Sequence, residues 1–257
     1  MTRSYEHWLR PGVPRTTFCA GCGHGILLHA AIRAADAMNL PRERFLFVSG
    51  IGCAAWIPSP NIQVDTLHTL HGRAVAFATG AKAANPELEV LVISGDGDLA
   101  SIGGNHLIHA ARRNTDLAVV CANNEIYGMT GGQTGPTTRA GGITATHPGG
   151  NPFAPFNLVR LVLGAGARYA ARYAATQPWE LSRAIRRALE TPGFAFVECV
   201  SPCPTQFGRR NRIDSPARLY DELRGRCVSR ETARKLSAEA RRSRIVTGEW
   251  TAEEYEP

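Results

Sequence analysis

Four short apolar runs, each ending at a turn rich in glycine, asparagine or proline, decide what this chain can fold into. Phe45-Leu46-Phe47-Val48 runs into Ser49-Gly50-Ile51-Gly52-Cys53, and Val90-Leu91-Val92-Ile93 into Ser94-Gly95-Asp96-Gly97-Asp98. Leu117-Ala118-Val119-Val120-Cys121 stops before Asn123-Asn124, and Phe194 to Val200 stops at Ser201-Pro202-Cys203-Pro204. Such runs read as strands buried on both faces. Helical stretches alternate with them: Gly25 to Met38, Gly72 to Ala84, Gly104 to Arg113 and Trp179 to Leu189. The alternation predicts an α/β fold, a mostly parallel sheet with helices on both faces. Ligands of open α/β sheets bind beyond the carboxyl ends of the strands, which is where these turns carry their polar and sulfur groups.

The remaining segments are less regular. Tyr127 to Pro155 is rich in Gly, Thr and Pro without a period, and is long enough to be a functional loop. Ser215 to Pro257 reads as charged helix with an acidic end. The organisation expected is residues 1–214 as one ligand-binding domain and 215–257 as a charged peripheral tail.

Charge and hydropathy narrow the function. The opening Met1 to Pro11 carries charges and no apolar core of a secretory leader. The longest apolar stretch, Leu158 to Ala175, is broken by Arg160, Arg168 and Arg172, so no membrane span is expected. A cytoplasmic protein is the reading that follows. Between Arg209 and Arg244 there are 12 Arg/Lys against 5 Asp/Glu, which accounts for the net charge of +7. That stretch has few aromatics to stack on bases and no nucleic-acid motif, so nucleic acid is not expected as a partner. A solvated helical surface is the plain reading, and an acidic protein partner the sharper one.

Gly95-Asp96-Gly97 precedes Asn123-Asn124 by 25 intervening residues. Both groups directly follow predicted strands separated by one helix, and a βαβ unit brings such turns side by side. Magnesium takes oxygen ligands in near-octahedral geometry and shares them with phosphates. The Asp96 carboxylate, the Asn124 amide oxygen and the Ile126 carbonyl would supply one face. Two diphosphate oxygens and a water would complete it. The glycines admit backbone N–H groups to the phosphates at a helix N-terminus. Asn123-Asn124 alone would be a turn, and His106 with His109 on one predicted helix, lacking a third ligand, read as ordinary helical residues.

Seven cysteines in such a chain point to metal or catalysis rather than to disulfides. Cys19-Ala20-Gly21-Cys22, Cys53 and Cys203 lie in loops, where thiolates can converge. Cys121 and Cys199 fall inside strands as small buried hydrophobes, and Cys227 in the tail reads as inert. Four loop thiolates suit structural zinc or a four-iron cluster, and ligand softness does not decide between them. Cys53 shares its turn with the expected cofactor contacts, which favours a redox cluster.

The strings Gly95-Asp96-Gly97-Asp98, Gly103-Gly104-Asn105-His106, Asn124 through Gln133 and His68 through Arg73 resemble the β subunit of 2-oxoacid:ferredoxin oxidoreductases. The likeness runs from about Thr17 to Asn211 and is closest to the 2-oxoglutarate branch. It implies the thiamine-diphosphate-binding fold, in its diphosphate-binding half. It implies magnesium on Asp96, Asn124 and Ile126, and a diphosphate lined by Gly97, Asp98, Gly128 and Met129. Ile51, Gly52, Cys53, Ala54 and His71 would contact the cofactor's rings or phosphates. One [4Fe–4S] cluster would be held by Cys19, Cys22, Cys53 and Cys203. The implied activity is oxidative decarboxylation of a 2-oxoacid, 2-oxoglutarate favoured, with coenzyme A as acyl acceptor and ferredoxin as electron acceptor. A chain of this length holds one such domain. The pyrimidine-binding domain and its activating glutamate would therefore come from an α subunit.

Two positions depart from the family pattern. Ala54-Ala55-Trp56 offers an indole where a basic residue tied to coenzyme A is common, and Ala20 stands where proline is common. The alternatives are a non-redox thiamine-dependent 2-oxoacid decarboxylase or lyase subunit, which needs no converging thiols, and a zinc-stapled scaffold without catalysis.

Overall fold

Consecutive residues of the central strands serve two different cores. Phe45, Phe47, Leu91, Ile93, Val120 and Val197 pack on one side, and Val48, Val90, Val92, Val119 and Phe196 on the other. That is the period-two geometry of a sheet buried on both faces. The computed structural model describes residues 5–12 and 17–254. Met1 to Ser4, on which the expectation of a leaderless start partly rests, residues 13–16, and the acidic end at 255–257 lie outside the described residues.

The strands in chain order are β1 (Phe45–Ser49), β2 (Asp65–His68), β3 (Glu89–Gly95), β4 (Leu117–Asn123), β5 (Tyr169–Ala174), β6 (Phe194–Val200), β7 (Cys227–Ser229) and β8 (Ile245–Thr251). They form one sheet in the order β2-β1-β3-β4-β6-β5-β8-β7. Every pairing is parallel except β5 with β8. The helices are α1 (His24–Asp36), α2 (Ala74–Ala84), α3 (Gly104–Arg112), α4 (Leu158–Gly164), α5 (Pro178–Glu190), α6 (Pro216–Arg226), α7 (Arg230–Arg234) and α8 (Ala238–Arg242). Residues from α1 and α5 fill the first core, and residues from α2, α3 and α4 the second. The predicted α/β class, parallel sheet and two helical faces are all present. No helix among the described residues is long and apolar enough to cross a membrane.

The four central strands and four main helices fall where the sequence places them, within a few residues. Four strands escaped it. β2 is an edge strand without an apolar run, and β5 carries Arg172, whose charge is answered by Glu198 of the neighbouring β6 at 2.7 Å. β7 and β8 lie in the segment expected to be charged helix. That segment does form α6, α7 and α8, but β8 also pairs with β5 and extends the sheet.

Candidate functional site

The turns after β1, β3, β4 and β6 all lie at one end of the sheet, because those strands run parallel. Asp96 follows β3 and is 3 % exposed. Burial pushes its carboxyl up to about 7, against the hydrogen bonds from Thr137 and from the backbone of Asp96, Asn124 and Gly97. Thr137 lies in the long loop after β4 and bonds both Asp96 and Asn123 Oδ1, the latter at 2.9 Å. One hydroxyl proton cannot serve both at once. Among the described residues no Lys or Arg forms an ion pair with Asp96. A desolvated carboxylate without a cation is poorly stabilised, and a divalent ion is the partner that would relieve it.

Two glycine notches show which groups meet there. A Cβ on Gly135 would lie 3.3 Å from Asp96 Oδ2 and 3.8 Å from the Ile126 carbonyl carbon. A Cβ on Gly128 would lie 3.6 Å from Cys203 Sγ, 3.7 Å from Asn124 Nδ2 and 3.9 Å from Cys53 Sγ. Asp96 and Ile126 therefore border one small space, and Asn124 borders another together with two of the loop thiols. Asn124 Oδ1 also accepts from the Ile126 N–H at 3.2 Å, which closes the turn. One of its lone pairs remains for a metal.

Asp98 turns inward. Its carboxylate is bonded to His71 Nδ1, to the Gly72 N–H at 2.6 Å, to the Ser94 hydroxyl and to the Ile51 N–H at 3.4 Å. An anion so occupied would also repel a phosphate, so any contact of Asp98 with a diphosphate falls to its backbone N–H. The His71 ring meets Tyr127 edge-on at 6.5 Å, and the Tyr127 hydroxyl donates to the Gly97 carbonyl at 3.3 Å. Ile51, His71, Gly97, Asp98 and the turn at Gly128 are thus brought together. Gly52 has φ 125°, a backbone that L side chains rarely adopt, and it delivers Cys53 and Ala54 into a short 3₁₀ turn. Met129 is half exposed beside Gly128.

All seven cysteines are free. The Cys22 N–H donates to the Cys19 carbonyl at 2.9 Å, a turn that Gly21 permits at φ 79°. Gly23 N–H donates to the Pro202 carbonyl, and His24 Nδ1 meets Ser201 Oγ at 2.8 Å, so the CxxC loop is tied to the Cys203 loop. Burial pushes the Cys22 thiol up to about 12, with the sulfurs of Cys203, Cys53 and Cys19 adding to it. Cys53 rises to about 11 through burial and the proximity of Cys203 and Cys19. The four loop thiols therefore share one neighbourhood, whereas Cys121 and Cys199 are fully buried in strands. Among the described residues no three His, Cys, Asp or Glu are drawn close enough to hold a single metal ion.

Glu125 was not legible as a site residue. Burial works against its ionisation, yet Arg139 and Arg226 outweigh that and hold its carboxyl below the usual range. His24 gives no signal in the sequence beyond its place two residues after the CxxC; burial lowers its imidazole to about 4.

Residues 50–199 match the thiamine pyrophosphate enzyme family, C-terminal TPP-binding domain. The 2-oxoglutarate synthase subunit KorB of Methanothermobacter marburgensis is 47 % identical over 246 residues, 96 % of this chain and 86 % of that protein. The subunit of the same name from Archaeoglobus fulgidus is 49 % identical over 224 residues, 87 % of this chain and 81 % of the relative. A solved structure of 2-oxoglutarate:ferredoxin oxidoreductase from Magnetococcus marinus, with 2-oxoglutarate, coenzyme A and succinyl-CoA bound, superposes with a TM-score of 0.84. It is 36 % identical, covering 96 % of this chain and 84 % of that one. With its fold, its strand-end turns and its sequence all agreeing, the chain belongs to the β subunits of the thiamine-dependent 2-oxoacid:ferredoxin oxidoreductases.

Proposed function

We propose that this subunit binds magnesium thiamine diphosphate and one [4Fe–4S] cluster side by side, and oxidises 2-oxoglutarate to succinyl-CoA and carbon dioxide with ferredoxin as acceptor. The observation that carries this is the Gly128 notch, bordered at once by Asn124, Cys53 and Cys203. Magnesium would be held by Asp96, Asn124 and the Ile126 carbonyl. The backbone at Gly97, Asp98, Gly128 and Met129 would face the diphosphate, with His71 and Ile51 to Ala54 against the rings or phosphates. Cys19, Cys22, Cys53 and Cys203 would hold the cluster. When bound, the thiazolium supplies the carbon nucleophile for a 2-oxoacid and the cluster carries single electrons away.

The chain's own residues do the positioning. Asp98 fixes the His71 ring by its Nδ1, and the Tyr127 hydroxyl anchors that ring's neighbour to Gly97. The Cys22 and Cys53 thiols, which burial keeps protonated, would release their protons as the cluster forms. Ile51, Leu70, Ile102 and Met129, each beside a site residue, leave apolar side chains exposed. They favour an α subunit that covers the site and brings the activating glutamate. Residues 1–214 would supply the cofactor-binding turns and 215–257 a charged segment packed on the same sheet through β8, in a cytoplasmic enzyme that also uses coenzyme A.

Anaerobic co-purification with the partner subunit tests the reading. It predicts a brown complex with four irons per chain, bleached by reductant, and with bound thiamine diphosphate. Colourless protein retaining the cofactor would mean a non-redox lyase subunit, and zinc without thiamine would leave only a scaffold.

A further inference from the structure

Glu125 lies between the two proposed magnesium ligands of its turn, with φ 60°. An L residue holds that backbone only where its surroundings over-determine it. Here every polar group of Glu125 is engaged. Its N–H donates to Asn123 Oδ1 at 3.0 Å, and its carbonyl accepts from Thr138 Oγ1 at 2.6 Å. Arg139 clasps Oε2 through Nη2 at 2.7 Å and Nε at 3.0 Å, and Arg226 Nη2 reaches Oε1 at 3.3 Å.

These partners come from distant parts of the chain. Arg139 belongs to the long loop after β4, and Arg226 ends α6 of the C-terminal segment. Glu222, four residues before Arg226 on the same helix face, grips Arg139 from the other side. The Arg139 guanidinium stacks over the ring of Phe207 at 4.5 Å, on the π-helical turn that starts beside Cys203. One buried carboxylate thus ties together the Asn124–Ile126 turn, the loop, the thiol loop and α6. Rotation about the Glu125 backbone would re-aim the Asn124 amide and the Ile126 carbonyl together.

We infer that Glu125 is a positioning residue, and that α6 acts through it as a latch which sets the Asn124–Ile126 turn for magnesium and thiamine diphosphate. The inference rests on the metal role proposed for those two residues. Nothing in it requires the Glu125 carboxylate to touch the cofactor.

The test compares Arg226→Met with Arg224→Met in the complex with the partner subunit. Arg224 stands on the same helix but is exposed, and among the described residues it pairs only with Asp221, at 2.8 Å. Three quantities are measured: half-saturation by thiamine diphosphate at fixed magnesium, amide hydrogen exchange over residues 124–128 without cofactor, and the melting temperature. Arg226→Met should raise the half-saturation concentration about tenfold, a typical cost of losing an outer partner of a metal ligand. It should also speed exchange in the turn, while kcat at saturating cofactor stays within about twofold. Arg224→Met should change none of these. Wild-type affinity and exchange in Arg226→Met, or a lowered melting temperature alone, would overturn the latch and leave a structural ion-pair network. If Arg226→Met does not fold, Glu222→Gln, at the half-exposed edge of the network, is read in the same way. A wild-type complex without magnesium-dependent binding would retire the site reading instead; the exchange data on cofactor-free protein would still decide whether α6 holds the turn.

Discussion

His71 Nδ1 and Asp98 Oδ1 are hydrogen-bonded to each other across the carboxyl ends of β2 and β3. A buried carboxylate on one ring nitrogen fixes both the orientation of an imidazole and the nitrogen it presents. Asp98 extends the same grip to the Gly72 and Ile51 N–H groups, so one side chain aligns two of the turns that border the site.

Asp98→Asn should therefore weaken thiamine diphosphate binding by roughly 10- to 100-fold, the usual consequence of losing an orienting partner. Gly50→Ala should do much the same without touching either side chain's chemistry, because its Cβ would lie 1.8 Å from Asp98 Oδ2. Cofactor titration of both variants decides it. Wild-type affinity in the two together would remove His71 from the cofactor's surroundings.

The thiols divide into two groups with different expected losses. Cys203→Ser, at the notch shared with Asn124 and Cys53, should strip most of the iron from anaerobically purified complex. Cys121→Ala, fully buried in β4, should keep its iron and lose only the packing of one sulfur atom. Equal iron in both variants would dissociate the loop cysteines from any cluster.

The sequence disclosed those parts whose cause is local. β1, β3, β4 and β6 are buried on both faces, so their apolar runs are unbroken and could be recognised directly. The spacing of Asp96 and Asn124 was legible because one βαβ unit carries both. β2 has exposed ends and no run, and β5 hides an arginine whose partner Glu198 lies 26 residues away. Glu125 is the extreme case. Its partners stand 14 and 101 residues distant, and neither Arg139 nor Arg226 belongs to a motif. Arg226 could not be told from its solvated neighbours in the basic tail, because the buried acid it answers is met only once the chain has folded.

The Arg172–Glu198 pair joins β5 to β6 with both side chains largely buried, and the other Glu198 oxygen accepts from Asn123 Nδ2 at 2.7 Å. Removing one member of a buried pair strands the other's charge. Arg172→Met should cost about 3–5 kcal/mol of folding stability, measured by chemical denaturation. Arg172→Met/Glu198→Leu should recover part of that loss, because no lone charge remains. If the single variant unfolds at the wild-type midpoint, the pair contributes nothing to the sheet.

The apolar rim of the site yields the remaining prediction. Leu70 is 68 % exposed and Ile102 46 %, and the two flank Gly72, whose missing Cβ would lie 2.5 Å from an Ile102 methyl. Exposed apolar groups concentrated beside a cofactor site imply a protein surface over them. Residues near the centre of such an interface cost about 2 kcal/mol or more when disrupted, roughly a 30-fold change in dissociation constant. Leu70→Glu and Ile102→Glu should each weaken association with the partner subunit by at least that factor, because a carboxylate would be buried without a cation. Lys235→Glu, 76 % exposed at the end of α7, should not. Size-exclusion chromatography over a dilution series reads the difference. Should both rim variants hold the partner as tightly as wild type, the covering surface must approach from elsewhere, and the activating glutamate with it.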